Sequence, residues 1–174
     1  MHKEDIILAL EEKHQILLNW LINQEKDKWE LGPKDKWTTG QQALHLLQSI
    51  AALNNAMSYP KFILKYKFGK ANREVRDFET VVKRYHERLK EVSGGTFGPS
   101  RNMKIPKLKD KSYLLDRLQT ENKKLQYKTK KWTDEQLDSY ILPHPLMGKM
   151  PVRELIMWTT YHIEHHTKSL MKDY

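Results

Sequence analysis

The sequence predicts an all-α protein with a single domain, and three observations support this prediction. Apolar residues recur at intervals of three and four along several long stretches, which is typical of helices with one buried face. No stretch shows a sustained alternation of apolar and polar residues, the pattern of a half-buried strand. The chain has 174 residues, about the length of one domain, so we expect a single domain over residues 1–174. Four or five long helices with one long crossover connection describe a four-helix bundle.

The first and last long helices have clear boundaries. Helical spacing runs from Ile6 to about Asn23 without Gly or Pro. One side of this helix carries Ile7, Leu10, His14, Leu17, Leu18 and Leu21. Pro151 suits the first turn of the last helix, because its missing N–H would have no helical partner there. We expect this helix to run to about Lys172 and to follow a loop over residues 144–148.

The second helix is predicted to begin at Thr38 or Thr39. Either Thr can cap it, since Gln41 or Gln42 stands three residues further on, as in a capping box. The residue before a proline disfavours helix, so this helix should end at about residue 57, ahead of Pro60.

Two further long helices are predicted in the middle of the chain. Residues 72–92 show helical spacing and precede a Ser-Gly-Gly stop at residues 93–95. A long loop leads to Pro106, and another helix is expected from Lys111 to about Lys130, with Leu114, Leu115, Leu118, Leu125 and Trp132 as apolar contacts. Residues 61–68 fit either a helix or a bent segment that leads into the next helix. Residues 132–137 predict a cap and a short helical turn.

Charge is unevenly distributed along the chain. The formal net charge is +9. Residues 61–131, called the basic segment below, hold 21 of the 31 Lys and Arg residues but only 8 of the 22 Asp and Glu residues. A basic segment can bind nucleic acid or another anionic partner. No nucleic-acid-binding motif is present and the basic residues alternate with helix-core residues, so we expect a solvated surface and keep nucleic-acid binding as an alternative.

The chain contains no cysteine, which excludes disulfides, thiolate metal sites and a cysteine nucleophile. Any metal must therefore be held by His, Asp or Glu. The apolar run Ile6–Leu10 is followed by Glu11 and Glu12, which makes it too short and too acidic for a signal peptide. No stretch approaches the roughly 18 apolar residues of a membrane span. We expect a cytoplasmic protein without a membrane segment.

Two histidines of the last helix carry the strongest chemical signal. His162 and His166 lie one turn apart in the middle of its apolar stripe, so both imidazoles can point at one metal ion. This is not the zincin arrangement, because Glu164 lies on the far side of the helix from both histidines. His165 lies on the flank and is an alternative to His166 as a ligand.

A third ligand must come from another helix, and two histidines are candidates. His14 lies on the apolar side of the first helix, which suits either a core histidine or a ligand. His45 lies on the opposite side of its helix from the aliphatic residues, beside Gln41, Gln48, Ser49 and Ala52. That side could face solvent or line a polar cavity. Geometry alone ranks His14 slightly above His45.

Two short motifs resemble the DinB-like superfamily. The stretch Trp37–Leu46 (WTTGQQALHL) resembles the segment around that superfamily's first metal histidine. Residues 144–148 (HPLMG), followed by a helix with His162 and His166, resemble its closing signature. Phe68-Gly69 and Arg73 are similar too, and the resemblance covers nearly the whole chain. One departure is Met150, where a helix-capping Ser or Thr is usual.

The resemblance implies a four-helix bundle and a divalent metal held by three histidines. Carried over by position, these are His45, His162 and His166, which favours His45 over His14. Three imidazoles suit Zn²⁺ or Ni²⁺ best among the candidate ions, which also include Cu and Fe. We expect His144 either near the mouth of the site or, more readily, as a turn residue. No separate catalytic residue is predicted.

Members of the superfamily include thiol-dependent S-transferases, so the resemblance implies transfer of a low-molecular-weight thiol such as bacillithiol, mycothiol or glutathione to an electrophile. Without cysteine in the chain, the thiol would have to be a co-substrate. A metal-dependent hydrolase using bound hydroxide is the alternative, and a structural bundle with a vestigial site is a further one. Superfamily members are often dimeric, and we expect a homodimer through an outward patch of Met157 and Tyr161.

Overall fold

The structure is a computed structural model that describes residues 1–34, 36–92 and 103–174. Within these ranges the helices are α1 (Lys3–Asn23), α2 (Thr39–Ser58), α3 (Lys61–Phe68), α4 (Phe78–Glu91), α5 (Lys111–Lys131), α6 (Asp134–Ser139) and α7 (Val152–Asp173). Two short 3₁₀ helices span Asp27–Trp29 and Leu108–Asp110. Strands β1 (Ile141–His144) and β2 (Gly148–Pro151) form an antiparallel hairpin.

Four long helices form the bundle. Helix α1 packs against α5 and α7, and α2 packs against the same two helices, which places α1 and α2 at opposite corners. The connection from α2 to α5 spans residues 59–110 and includes α3 and α4. Helix α4 packs on the outside of the bundle against α7. The predicted all-α class, a four-helix bundle with a long crossover connection, is confirmed.

The start of α2 is fixed by two local contacts. Thr38 accepts a hydrogen bond from the backbone of Gln41, and the Gln41 side chain accepts one from the backbone of Thr38. This is the predicted capping box, with Thr38 rather than Thr39 as the cap. Gly40 packs so closely on the buried Trp29 that a Cβ atom would lie 2.8 Å from its carbonyl oxygen. Together these contacts set the position of α2, and therefore of His45, two turns further on.

The segment before α4 differs from the prediction. Residues 72–77 are not helical, and α4 begins at Phe78 after a cap by Asp77, whose carboxylate accepts a hydrogen bond from the Thr80 backbone. The extended segment instead holds Arg73, whose guanidinium donates to both carboxylate oxygens of Glu154 at 2.5 and 2.8 Å. Residues 61–68, which the pattern left open, form helix α3.

Glu154 is fully buried in the first turn of α7. It also accepts hydrogen bonds from the backbone and guanidinium of Arg76. Burial on its own raises the pKa of Glu154, but the hydrogen bonds from Arg73 and Arg76 outweigh it and the pKa is lowered below its ordinary value. The paired carboxylate ties the 69–77 connection to the start of α7.

Residues 141–151 form a β-hairpin, whereas the sequence predicted a loop over residues 144–148 and no strand. His144 pairs with Gly148 at its tip, and Gly148 has a φ of 72°, a conformation that glycine adopts without strain. Each strand has only four residues and each contains a proline, so the sequence offers no alternating pattern long enough to indicate a strand. The hairpin brings His144 against α7.

The prediction of an outward patch of Met157 and Tyr161 on α7 is wrong. Met157 is completely buried, because α7 packs against α1, α2 and α4 and so buries more than the stripe that carries the histidines. Tyr161 is partly buried and its hydroxyl lies 2.5 Å from Nε2 of His86. These two residues therefore form no surface for self-association, and the homodimer stays a prediction.

The remaining helix limits agree with the sequence within a few residues. The short helix after Trp132 is α6, which has its own capping box between Thr133 and Gln136. The predicted apolar contacts of α5 are buried. The Ser-Gly-Gly stop at residues 93–95 and most of the loop that follows lie outside the described residues.

The buried His14 generates a prediction about stability. Neither of its ring nitrogens has a hydrogen-bond partner, and burial lowers its pKa from 6.5 to about 4, against a smaller opposite effect of Glu11. As pH falls through 6.5 towards 4, the unfolded chain takes up a proton that the folded chain does not, so the free energy of unfolding falls.

We expect His14→Leu to raise the free energy of unfolding at neutral pH, because an unpartnered polar ring is replaced by an apolar side chain. The variant should also be less destabilised by acid than the wild type, by about 3 kcal/mol between pH 6.5 and 4. Denaturant unfolding followed by circular dichroism across this pH range measures both effects. A variant with the wild-type stability and the wild-type slope would contradict this account of His14.

Candidate metal centre

Three histidine side chains from two helices meet at one point. Nε2 of His162 lies 3.1 Å from Nε2 of His45 and 3.1 Å from Nε2 of His166. One nitrogen from each ring lies within 4.8 Å of the others. In a tetrahedral site with bonds of about 2.05 Å, ligand atoms lie roughly 3.3 Å apart. The three nitrogens therefore fit the donor set of a divalent ion with imidazole ligands, and the cluster could hold one.

The cluster depends on the pairing of α2 with α7. His162 and His166 are one turn apart on α7, and His45 faces them from α2, near its capped start. Gln42, one turn before His45, is buried and its Oε1 accepts a hydrogen bond from Nδ1 of His166 at 2.9 Å. Because Nδ1 then carries the proton, Nε2 of His166 keeps its lone pair for a metal.

Aromatic rings enclose the cluster on two sides. The indole of Trp158 stacks on His162 with ring centroids 4.4 Å apart. Trp37 lies 5.0 Å from the ring of His45 and stacks on that of His166 at 6.4 Å. These apolar rings restrict rotation of the imidazoles and exclude water from their flanks.

Burial keeps all three imidazoles neutral. It lowers the pKa of His45 to about 4. Burial also holds the pKa of His162 and of His166 well below the usual value, and the neighbouring histidines lower both further. A metal ion binds only the neutral ring, so the three rings are ready to bind one at neutral pH.

A cavity of about 590 Å³ opens beside the three histidines. Its described wall is mostly apolar and aromatic, and besides the cluster it includes Trp37, Leu53, Phe68, Tyr85, Leu142, Leu155 and Trp158. Gln48, Ser49 and Ala52, the neighbours of His45 on α2, contribute to the same wall. The side of α2 that carries His45 therefore lines a cavity, which was one of the two alternatives predicted for it. The cavity is largely apolar, however, rather than polar.

The other candidate ligands lie elsewhere. His14 is a buried core residue of α1 and is not part of the cluster. His165 lines the cavity on the flank, with its ring 6.1 Å from those of Tyr85 and His86. Glu164 faces away, as predicted, and pairs with Lys168 at 2.5 Å.

His144 combines the two roles considered for it. Its Nδ1 accepts hydrogen bonds from the backbone N–H groups of Leu146 and Met147, both at 3.1 Å. The same ring lines the cavity and contacts Trp158 at a centroid distance of 4.2 Å.

Three residues of the centre were missed by the sequence analysis. Trp158 stands one turn before His162, at the same spacing as His166, so the helical period could have identified it. Gln42 stands one turn before His45 and was considered only as a capping residue. Tyr85 lies within the helical spacing of residues 72–92, which indicates a core residue, and it is buried, but it also lines the cavity. Burial raises its pKa to about 12, so its hydroxyl keeps its proton.

Several charges of the basic segment make intramolecular contacts. Arg73 and Arg76 bind Glu154. The Lys61 ammonium lies 2.9 Å from the ring centroid of Trp132, and Lys128 donates to the Asn54 carbonyl and the Ser58 hydroxyl. These contacts are structural and do not by themselves favour nucleic-acid binding.

Comparison with known proteins identifies the family. The profile of the DinB superfamily matches residues 9–170, so the chain belongs to the DinB superfamily. No curated protein and no solved structure matches it significantly. Membership of this metal-associated superfamily and the three-histidine cluster fit a metal-dependent enzyme. Among the described residues, no helix has the length and apolar character to cross a bilayer.

We expect His162→Ala to abolish stoichiometric binding of Zn²⁺ or Ni²⁺, because His162 is the ring whose nitrogen lies close to both others. His165→Ala, on the same helix but outside the cluster, is the matched control and should keep its metal. Metal content of protein purified without a histidine tag measures both, with circular dichroism to confirm folding. If His165→Ala lost the metal and His162→Ala kept it, the assignment would be wrong.

Gln42→Leu tests the hydrogen bond that orients His166. Losing an outer partner of a metal-binding histidine lowers metal affinity about 10- to 100-fold. Gln48→Leu makes the same change on the same helix without a bond to the cluster, and its affinity should match the wild type. Competition titration with a chelating dye gives both dissociation constants. Equal affinities in the two variants would rule out an orienting role for Gln42.

Proposed function

We propose that this protein is a metal-dependent transferase that joins a low-molecular-weight thiol to an electrophile. The observation that carries the proposal is the meeting of three neutral imidazole nitrogens, from His45, His162 and His166, at the wall of a cavity. Only three protein ligands are offered among the described residues, which is the pattern of open catalytic sites rather than closed structural ones. We infer Zn²⁺ or Ni²⁺ as the ion.

A divalent ion held by these rings would supply positive charge that lowers the pKa of a thiol. The chain's own residues would bind the substrates and exclude water. The cavity is large enough for a small organic molecule, and its aromatic wall excludes the water that would compete with the thiol. The sulfur forms a bond to carbon while the electrophile releases its leaving group, and the thiol proton passes to solvent.

The phenol of Tyr85, which lines the cavity, is one donor available for charge that develops on the electrophile. Its ring centroid lies 6.3 Å from that of His162 and 5.8 Å from that of Trp158. Because the raised pKa keeps it protonated, it can donate a hydrogen bond over the whole physiological pH range.

Turnover assays test the proposal. Metal-loaded protein is mixed with an electrophile and with bacillithiol, mycothiol or glutathione in turn, and thioether formation is followed by mass spectrometry. We expect thiol-dependent turnover that chelation abolishes and added Zn²⁺ or Ni²⁺ restores. His162→Ala should be inactive, whereas His2→Ala, an exposed histidine remote from the cluster, should retain full activity.

A parallel assay with ester and amide substrates and no thiol addresses the hydrolase alternative, which the same three-histidine site would serve. Chelator-sensitive hydrolysis without any thiol-dependent product would replace the transferase with a hydrolase. Metal-loaded, folded protein that is inactive in every assay would contradict both and favour the vestigial bundle.

A further inference from the structure

The cavity wall differs in charge from the rest of the surface. The protein carries a formal charge of +9, yet none of the described residues that line the cavity is Asp, Glu, Lys or Arg. An anionic molecule would find no cationic side chain among them to compensate for its lost hydration. Leu53, Phe68, Leu142 and Leu155 instead offer apolar contact. This wall favours an uncharged ligand.

His144 adds one specific polar group to the apolar wall. Because its Nδ1 accepts two backbone hydrogen bonds in the hairpin turn, the proton of the neutral ring lies on Nε2. The two ring nitrogens point apart, so Nε2–H points away from the turn. His144 is only 6% exposed, and Nε2 has no hydrogen-bond partner. A buried donor without a partner costs about 1–3 kcal/mol, and such a group calls for an explanation.

Trp158, beside His144, also carries a buried donor without a partner. That donor is its Nε1, and its ring lies between those of His144 and His162, at centroid distances of 4.2 and 4.4 Å. Two donors without partners therefore belong to adjacent rings of the cavity wall, next to the metal centre. Both would be satisfied by acceptor oxygen on a ligand, and neither can bind a cation.

We propose that the cavity binds an uncharged, apolar molecule with a carbonyl oxygen, and that Nε2–H of His144 donates a hydrogen bond to that oxygen. In the reaction this molecule is the electrophile, an assignment that rests on the proposed function, whereas the binding itself does not. The apolar body lies against the leucines and aromatic rings, and the carbonyl group is held near His162.

Three probes of one shape separate the contributions to binding. Benzylacetone is an uncharged aromatic ketone, butylbenzene lacks its oxygen, and the para-carboxylate derivative of benzylacetone adds a charge. Dissociation constants are measured by titration calorimetry on metal-free protein, so that no bound ion contributes, and without any thiol. We expect the ketone to bind about tenfold tighter than butylbenzene, the value of one hydrogen bond. The carboxylate should bind at least about tenfold more weakly than the ketone, because its desolvation is not compensated.

His144→Asn isolates the donor. An Asn carbonyl oxygen can accept the same backbone hydrogen bonds in a turn, but it leaves nothing in the place of Nε2–H. The roughly tenfold preference for the ketone over butylbenzene should be lost in this variant, whatever its absolute affinity for either probe. A ketone preference that survives in folded His144→Asn would overturn the role of His144.

A second pair of variants locates the probes without touching the hairpin. Ala52 is exposed and lines the cavity, whereas Asn55 is exposed on the same helix but does not line it. Ala52→Lys should bind the carboxylate probe several-fold tighter than the wild type, and Asn55→Lys should not. Equal affinities in these two variants, or a wild-type protein that prefers the carboxylate, would overturn the proposal.

These outcomes are separable from those of the proposed function. Ketone selectivity in a protein that shows no thiol transfer would refute the transferase and leave the ligand class standing. Thiol transfer by a protein without this selectivity would refute only the ligand class.

Discussion

The central constraint in this structure is the burial of imidazole nitrogens from two helices against one another. His162 is 3% exposed, and its Nε2 lies within hydrogen-bond distance of the Nε2 atoms of both His45 and His166. A hydrogen bond between two of these nitrogens needs a proton on one of them, so neutral rings cannot satisfy all three Nε2 atoms fully. Charged rings would repel one another. A divalent ion would resolve the conflict, since it can accept three lone pairs at once. The spacing of α2 and α7 would then have to suit that ion as well as the core.

The surrounding elements serve to hold these two helices in register. The capping box at Thr38 and the contact of Gly40 with Trp29 fix the start of α2. At the start of α7, the buried Glu154 binds Arg73 and Arg76 from the connection that precedes α4. We expect the fold not to need the ion for its core, because the leucine-rich faces of α1 and α5 are buried away from the histidine cluster. Rigid helices with a buried polar centre are typical of functional sites in bundles.

The sequence predicted most of the fold because its helices are long and regularly patterned. Helices α1, α2, α5 and α7 lie within a few residues of their predicted limits. The hairpin at 141–151 could not be predicted, since four-residue strands with a proline each carry no periodic signal. The extended segment at 72–77 was missed because its geometry depends on Glu154, which is remote in the sequence. Met157 was misplaced because a helix that packs on three neighbours has no outward side there.

The three-histidine cluster could be predicted only in part from the sequence. The spacing of His162 and His166 indicates a shared ligand, but the third member depends on which faces of two distant helices meet. Geometry alone preferred His14, and only the family resemblance selected His45. Trp158 shares the helical spacing of His162 and His166 and could have been identified from it. The roles of Gln42 and His144 depend on tertiary contacts that no local pattern indicates.

X-ray absorption spectroscopy on protein loaded with one equivalent of Zn²⁺ tests the central claim most directly. The account predicts three imidazole nitrogens at about 2.0–2.1 Å and at least one further ligand from outside the chain. It also predicts that His45→Ala reduces the imidazole count from three to two or prevents binding. A shell with fewer than three imidazoles in the wild type, or one unchanged by His45→Ala, would contradict the account.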